Sequence, residues 1–194
     1  MFAKISIVFI ILNMFFSFGL LFGVVGNNKT DNQPFEIHIQ PSKLDWQYFM
    51  KADEEWRQRL WNYYNSQGKG LSQWAWQWRL GWVRKCGASR LKYCDVVLKS
   101  ALFDAAAVVR GEAATRIGGK YYGSKDSAII DLLAKAFKNK LNYRGKKPLF
   151  VQQRILFAIW SIGGKHGHEV GKFLAKGHTT HLAYWDKISN GAGL

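Results

Sequence analysis

Four of the five histidines crowd the C-terminal part of the chain: His166 and His168 in HGHE, His178 and His181 in GHTTH. Imidazole is the commonest metal ligand, and His178 and His181, three residues apart, would share a face if that turn is helical. The HExxH pattern is absent. Gly167 and Gly177 leave the adjoining backbone loosely constrained, whereas a metal site holds its ligands within a few tenths of an ångström. We therefore expect polar and capping histidines, with no bound metal and no cofactor. Glu112, in VVRGEAATR, is the other residue whose type suits catalysis. A lone carboxylate at a helix end can serve as general acid in glycan cleavage. Arg110 and Arg116 on either side favour an ion-paired, structural carboxylate instead. No serine or cysteine sits in a nucleophile motif.

Binding chemistry is better represented than reaction chemistry. The 194 residues carry 28 Lys and Arg against 13 Asp and Glu, a net charge of +15. The charge is uneven. Residues 27–78 hold six cations and six anions, while residues 79–194 hold 21 cations and seven anions. The densest stretch, LAKAFKNKLNYRGKKP, contains Lys135, Lys138, Lys140, Arg144, Lys146 and Lys147. Such a field suits phosphates or lipid headgroups. Without a nucleic-acid motif, sequence-specific nucleic-acid recognition is not expected. The partners that fit are an anionic membrane surface, a cell-wall polymer or another envelope protein.

Aromatic residues form the second binding signal. Seven of nine tryptophans fall between Trp46 and Trp82. Trp74, Trp76, Trp78 and Trp82 could present an aromatic face to a membrane interface or a ligand, beside the cations Arg79, Arg84 and Lys85. The competing reading is an aromatic core between two helices.

Residues 5–26 (ISIVFIILNMFFSFGLLFGVVG) carry no charge and follow Lys4. A positive n-region before an apolar run is the pattern of a secretory signal, with Gly26 a small residue at the cleavage position. The run is also long enough to span a bilayer, so retention as an anchor is the alternative. Either fate places the remainder in an exported (periplasmic or extracellular) or membrane-anchored state. In an oxidising compartment Cys86 and Cys94, with seven residues between them, can form one disulfide.

The elements that must position these groups are mostly helical. Residues 27–41 read as a polar linker, with alternation at 35–39 suggesting a short extended piece. Ser42 and Asp45 resemble a capping box. Trp46, Phe49, Met50, Trp56, Leu60, Tyr63 and Tyr64 then trace one helical face, ending before Gly68 and Gly70. Around residues 73–83 the large apolar side chains alternate strictly, which fits a strand. Leu71, Trp74, Trp78 and Trp82 fit a helix, and the helical neighbours favour it; a short β element is the alternative. A helix is expected from Ser89 to Arg110, stopped by Gly111. Another follows a Ser124 or Asp126 cap, through Leu141. A third opens at Pro148 and closes at the Gly163–Gly164 pair, and a last one contains Val170, Phe173 and Leu174.

The fold class is thus mainly α: a signal or anchor at 1–26, a linker at 27–41 and one basic helical domain at 42–194. The expected function is non-enzymatic binding of an anionic partner, as an accessory of an envelope or secretion-type assembly. The anionic-partner residues are Arg84, Lys85, Lys138, Lys140, Arg144, Lys146 and Lys147. An exported enzyme acting on a cell-wall polymer is the alternative, and a membrane-damaging toxin is a further one, since tryptophans with Lys and Arg suit lipid interfaces.

Overall fold

The computed structural model describes residues 46–66, 68 and 70–191, all within the compact unit formed by residues 37–194. The apolar segment 5–26, the linker with its 35–39 stretch and the Ser42/Asp45 start lie outside the described residues. Among the described residues the chain is helical apart from one two-stranded hairpin.

The first expected helix is two. Helix α1 (Trp46–Lys51) ends and α2 (Glu54–Ser66) begins one turn later. The break is local chemistry: Asp53 Oδ1 accepts the Trp56 N–H at 2.6 Å, an N-cap that starts a new helix. Arg57, buried despite its charge, donates back to the Phe49 and Ala52 carbonyls that close α1.

After a 3₁₀ turn at Leu71–Gln73, helix α3 runs over Trp76–Ala88. No strand forms around 73–83. The alternating tryptophans instead distribute around a helix, because both sides of α3 have aromatic neighbours to meet. Trp82 and Trp74 pack inward with Phe49, Trp61, Tyr64 and Tyr93. Trp78 meets Trp46 at 5.0 Å on the outer side.

The helix expected from Ser89 to Arg110 is also two, α4 (Lys92–Ala101) and α5 (Ala107–Lys120). Asp104 makes the corner. Its carboxylate accepts the Ala106 N–H at 2.7 Å and pairs with Arg79 through two nitrogens, at 2.6 and 2.8 Å. Gly111, read as a stop, lies inside α5. There the absent side chain is what the packing requires: a Cβ would stand 2.5 Å from the Phe150 ring. Gly118 likewise meets the Ala158 backbone, and a Cβ would lie 2.9 Å from its Cα.

Asp126 caps α6 (Ser127–Phe137) by accepting the Ile129 N–H at 3.1 Å. This helix stops at Phe137 rather than reaching Leu141, which belongs to a 3₁₀ turn, Lys140–Asn142. Strands β1 (Tyr143–Arg144) and β2 (Lys147–Pro148) pair antiparallel, Tyr143 opposite Pro148 and Arg144 opposite Lys147. Gly145, at φ 62°, supplies the left-handed residue at the first position of the two-residue turn. Pro148 therefore ends a strand instead of opening a helix, and α7 begins two residues later (Phe150–Ile162). Gly163, at φ 77°, terminates α7. Helix α8 (Gly164–Ala175) follows, and α9 (Thr179–Ser189), not expected from the sequence, completes the fold.

Helices α5 and α7 form the central pair. Helices α3 and α4 flank α5, and α6, α8 and α9 flank α7. Their shared core is aliphatic: Val109, Ala113, Ala114 and Ile117 from α5 with Ile155, Ala158, Ile159 and Ile162 from α7, all fully buried. The small residues of α5 permit close approach, so neighbouring backbones come into direct contact. Among the described residues no helix is long and apolar enough to cross a membrane.

Candidate anionic-surface interface

The basic block assembles at one end of α5. Between Leu132 and His168 the chain has eight Lys and Arg and not one Asp or Glu. Lys138, Lys140, Arg144, Lys146 and Lys147 are all exposed, the last three on the hairpin. Exposed apolar side chains are interspersed with them: Leu141 (51%), Tyr143 (39%) and Phe150 (49%). Leu149 N–H donates to Asn142 C=O at 2.8 Å and closes the base of the hairpin.

What fixes this cluster is a buried arginine that the sequence did not single out as a binding or structural centre. Arg110 is 1% exposed. Its Nε donates to Asn142 Oδ1 at 2.7 Å, one terminal nitrogen donates to the carbonyls of Asp104 and Ala105, and the other donates to the Leu141 carbonyl. One planar fork thus ties α5 to both the 104–105 corner and the base of the hairpin. Burial pushes the Arg110 pKa down and the nearby Asp104 charge opposes that shift, yet a guanidinium remains protonated at any physiological pH. Asn142, also fully buried, uses its amide nitrogen to cap the Ala136 carbonyl at 2.9 Å. Phe103, beside the same corner, is half-exposed and lies 5.9 Å beneath the Lys135 ammonium.

Arg84 and Lys85 sit on α3. Arg84 is exposed and approaches Glu112 at 3.6 Å; Lys85 is half-buried. Arg116 binds the same Glu112 oxygen at 2.9 Å. Glu112 is thus a bridge between α3 and α5. Arg110 takes no part in it, being turned into the core.

The four tryptophans separate. Trp74 (3% exposed) and Trp82 (0%) are core residues, which matches the aromatic-core reading for these two. Trp76 is 45% exposed and joins Trp46, Trp78, Leu80 and Arg84 in lining a shallow groove of ≈ 530 Å³. Trp82 Nε1 has no hydrogen-bond acceptor among the described residues, and its surroundings are the rings of Phe49, Trp61 and Trp74.

The histidines also separate. His166 pairs with Asp131 at 2.8 Å, His168 lies against Trp185, and His178 caps α9 by accepting the Thr180 N–H through Nδ1. His181 is buried edge-on to Phe137, and burial, then the neighbouring His178, lowers its pKa from 6.5. Among the described residues no group of three or more His, Cys, Asp or Glu could hold a metal ion.

Cys86 and Cys94 are joined in a disulfide, both sulfur-bearing residues fully buried, linking α3 to α4. A second cleft, of ≈ 410 Å³, has the Arg79–Asp104 pair in its wall with Trp61, Ser72 and Ser100. Both charges there are engaged with each other, and Glu112 lines neither cleft. No family model, curated protein or solved structure matches the chain.

Proposed function

We propose that this is an exported or membrane-anchored protein that binds an anionic partner through the basic hairpin end of its helical domain, without catalysis. One observation carries the reading: an acid-free stretch, 132–168, puts Lys138, Lys140, Arg144, Lys146 and Lys147 on the surface in and beside a hairpin whose base is tied down by Arg110 and Asn142. A cationic surface held in place by a buried fork is ready to bind; it loses little conformational entropy on meeting its partner. The buried Cys86–Cys94 disulfide supports an oxidising compartment, and the apolar segment 5–26 supplies the route there.

Binding to a soluble polyanion such as dextran sulfate, followed by titration calorimetry, tests the reading. The wild-type protein should bind, and affinity should fall steeply between 50 and 500 mM salt, since the contacts are screened within about 10 Å at 0.1 M. Charge reversal at Lys138, Lys140, Lys146 and Lys147 should weaken binding by about a thousandfold or more, taking roughly 1 kcal/mol for each surface cation and about 1.4 kcal/mol for each tenfold. Equal binding by wild type and variant would refute the assignment.

A further inference from the structure

The hairpin end is more than a cationic patch, because exposed apolar residues are interspersed with its exposed charges. A soluble polyanion offers nothing to Leu141, Tyr143 or Phe150. A bilayer offers each component a match: phosphates for the cations and the headgroup–acyl boundary for the apolar side chains. We propose that the partner is an anionic lipid surface, and that Leu141 and Tyr143 enter the interface while Lys140 and Lys146 engage headgroup phosphates, with Arg144 and Lys147, paired on the hairpin face opposite Tyr143, reaching them through their long side chains. This rests on the anionic-partner reading above and narrows it to one class.

Three features support the choice. Leu141, Tyr143 and Phe150 are exposed by 51, 39 and 49% within the eleven residues 140–150, which also carry four cations and no anion. Tyrosine combines an apolar ring with a polar tip, the composition favoured at membrane interfaces. The segment is backed rigidly: Phe150 lies on Gly111, and Arg110 holds the Leu141 carbonyl from beneath. The apolar groups therefore stay outward instead of folding into the core.

Cosedimentation with vesicles decides the matter, using the mature form that begins at Asn27, so that the apolar segment 5–26 does not itself insert into either kind of vesicle. The vesicles are phosphatidylcholine alone, or phosphatidylcholine with 30% phosphatidylglycerol, a composition chosen for the test. Dextran sulfate binding is measured in parallel. The wild type should bind the anionic vesicles at least tenfold more tightly than the neutral ones. Leu141→Ser with Tyr143→Ser should lower anionic-vesicle binding about tenfold and leave dextran sulfate binding within about twofold. Both side chains are more than a third exposed, so the variant should keep the wild-type melting temperature; Tyr143→Ser alone serves if it does not, with a smaller loss in the same direction. If the serine variants bind vesicles like wild type, or lose dextran sulfate equally, the lipid assignment falls while the anionic-partner reading stands. If the wild type binds neither probe, both fall.

Discussion

Arg110 illustrates how a single residue organises this surface without touching it. Four hydrogen bonds satisfy its fork, and three of them end on carbonyls that no helix ladder would otherwise use. Arg110→Met would leave Asn142 Oδ1 buried and unpaired and take the donor from three partly buried carbonyls. We expect a loss of about 1–3 kcal/mol in urea unfolding. Arg110→Lys should recover only part of it, because an ammonium cannot reproduce the planar fork. His181 makes the corresponding acid–base prediction. Its folded pKa is depressed, by burial first and by His178 second. Below the ordinary value of 6.5 the unfolded chain therefore binds the proton more readily than the folded one. Stability should be fully expressed above pH 6.5 and decline as pH falls toward the folded pKa. Urea midpoints at pH 7 and pH 5 measure this. His181→Gln should flatten the slope, and an unchanged slope would assign it to other groups.

At the level of elements, two adjacent glycines on α5 should respond in opposite directions. Gly119 has open space where a Cβ would go, so Gly119→Ala should gain about 0.5–1 kcal/mol of helix propensity. Gly118 faces the Ala158 backbone, where a Cβ would stand 2.9 Å from Cα. Its substitution gains the same propensity, but separating α5 from α7 costs about 1–3 kcal/mol, so Gly118→Ala should be net destabilising. Thermal melts of the two variants check both signs. The Cys86–Cys94 bridge, spanning eight positions between α3 and α4, should contribute about 2–3 kcal/mol through unfolded-state entropy. Replacing both cysteines with alanine should lower the urea midpoint accordingly. Both are fully buried, so mild reductant should leave the folded protein oxidised.

At the scale of the whole molecule the decisive quantity is where the charge lies. Residues 79–194 carry nearly all of the +15, and the fold concentrates a share of it on the hairpin end. Export is the other whole-chain expectation. N-terminal sequencing of the mature protein should begin at Asn27, after the small Gly26 at the end of the apolar run. An intact Met1 in a membrane fraction would establish the anchored form in its place.

Much of the helical character was legible in the chain, because apolar spacing of three and four is a local property. The Asp126 cap and the Gly163 stop were readable for the same reason, each depending on a few neighbouring residues. The disulfide was expected from two cysteines and an apolar N-terminal run. What local pattern misjudged were positions whose role depends on distant contacts. Gly111 resembles a helix stop until Phe150 is seen occupying the space beside it, and the need for glycine at 118 is set by the Ala158 backbone. Asp104 becomes a corner because Arg79, 25 positions away, holds its carboxylate. The alternation of Trp74 to Trp82 fits a strand or a helix locally, and the tertiary structure decides for a helix by packing Trp82 inward against rings from other elements and leaving Trp76 half-exposed. The basic block was visible as composition, but its shape was not. A two-residue turn at Gly145 and a buried arginine 31 positions from Leu141 make it a presented surface, and the energy of burying that arginine's fork exists only once the chain has folded.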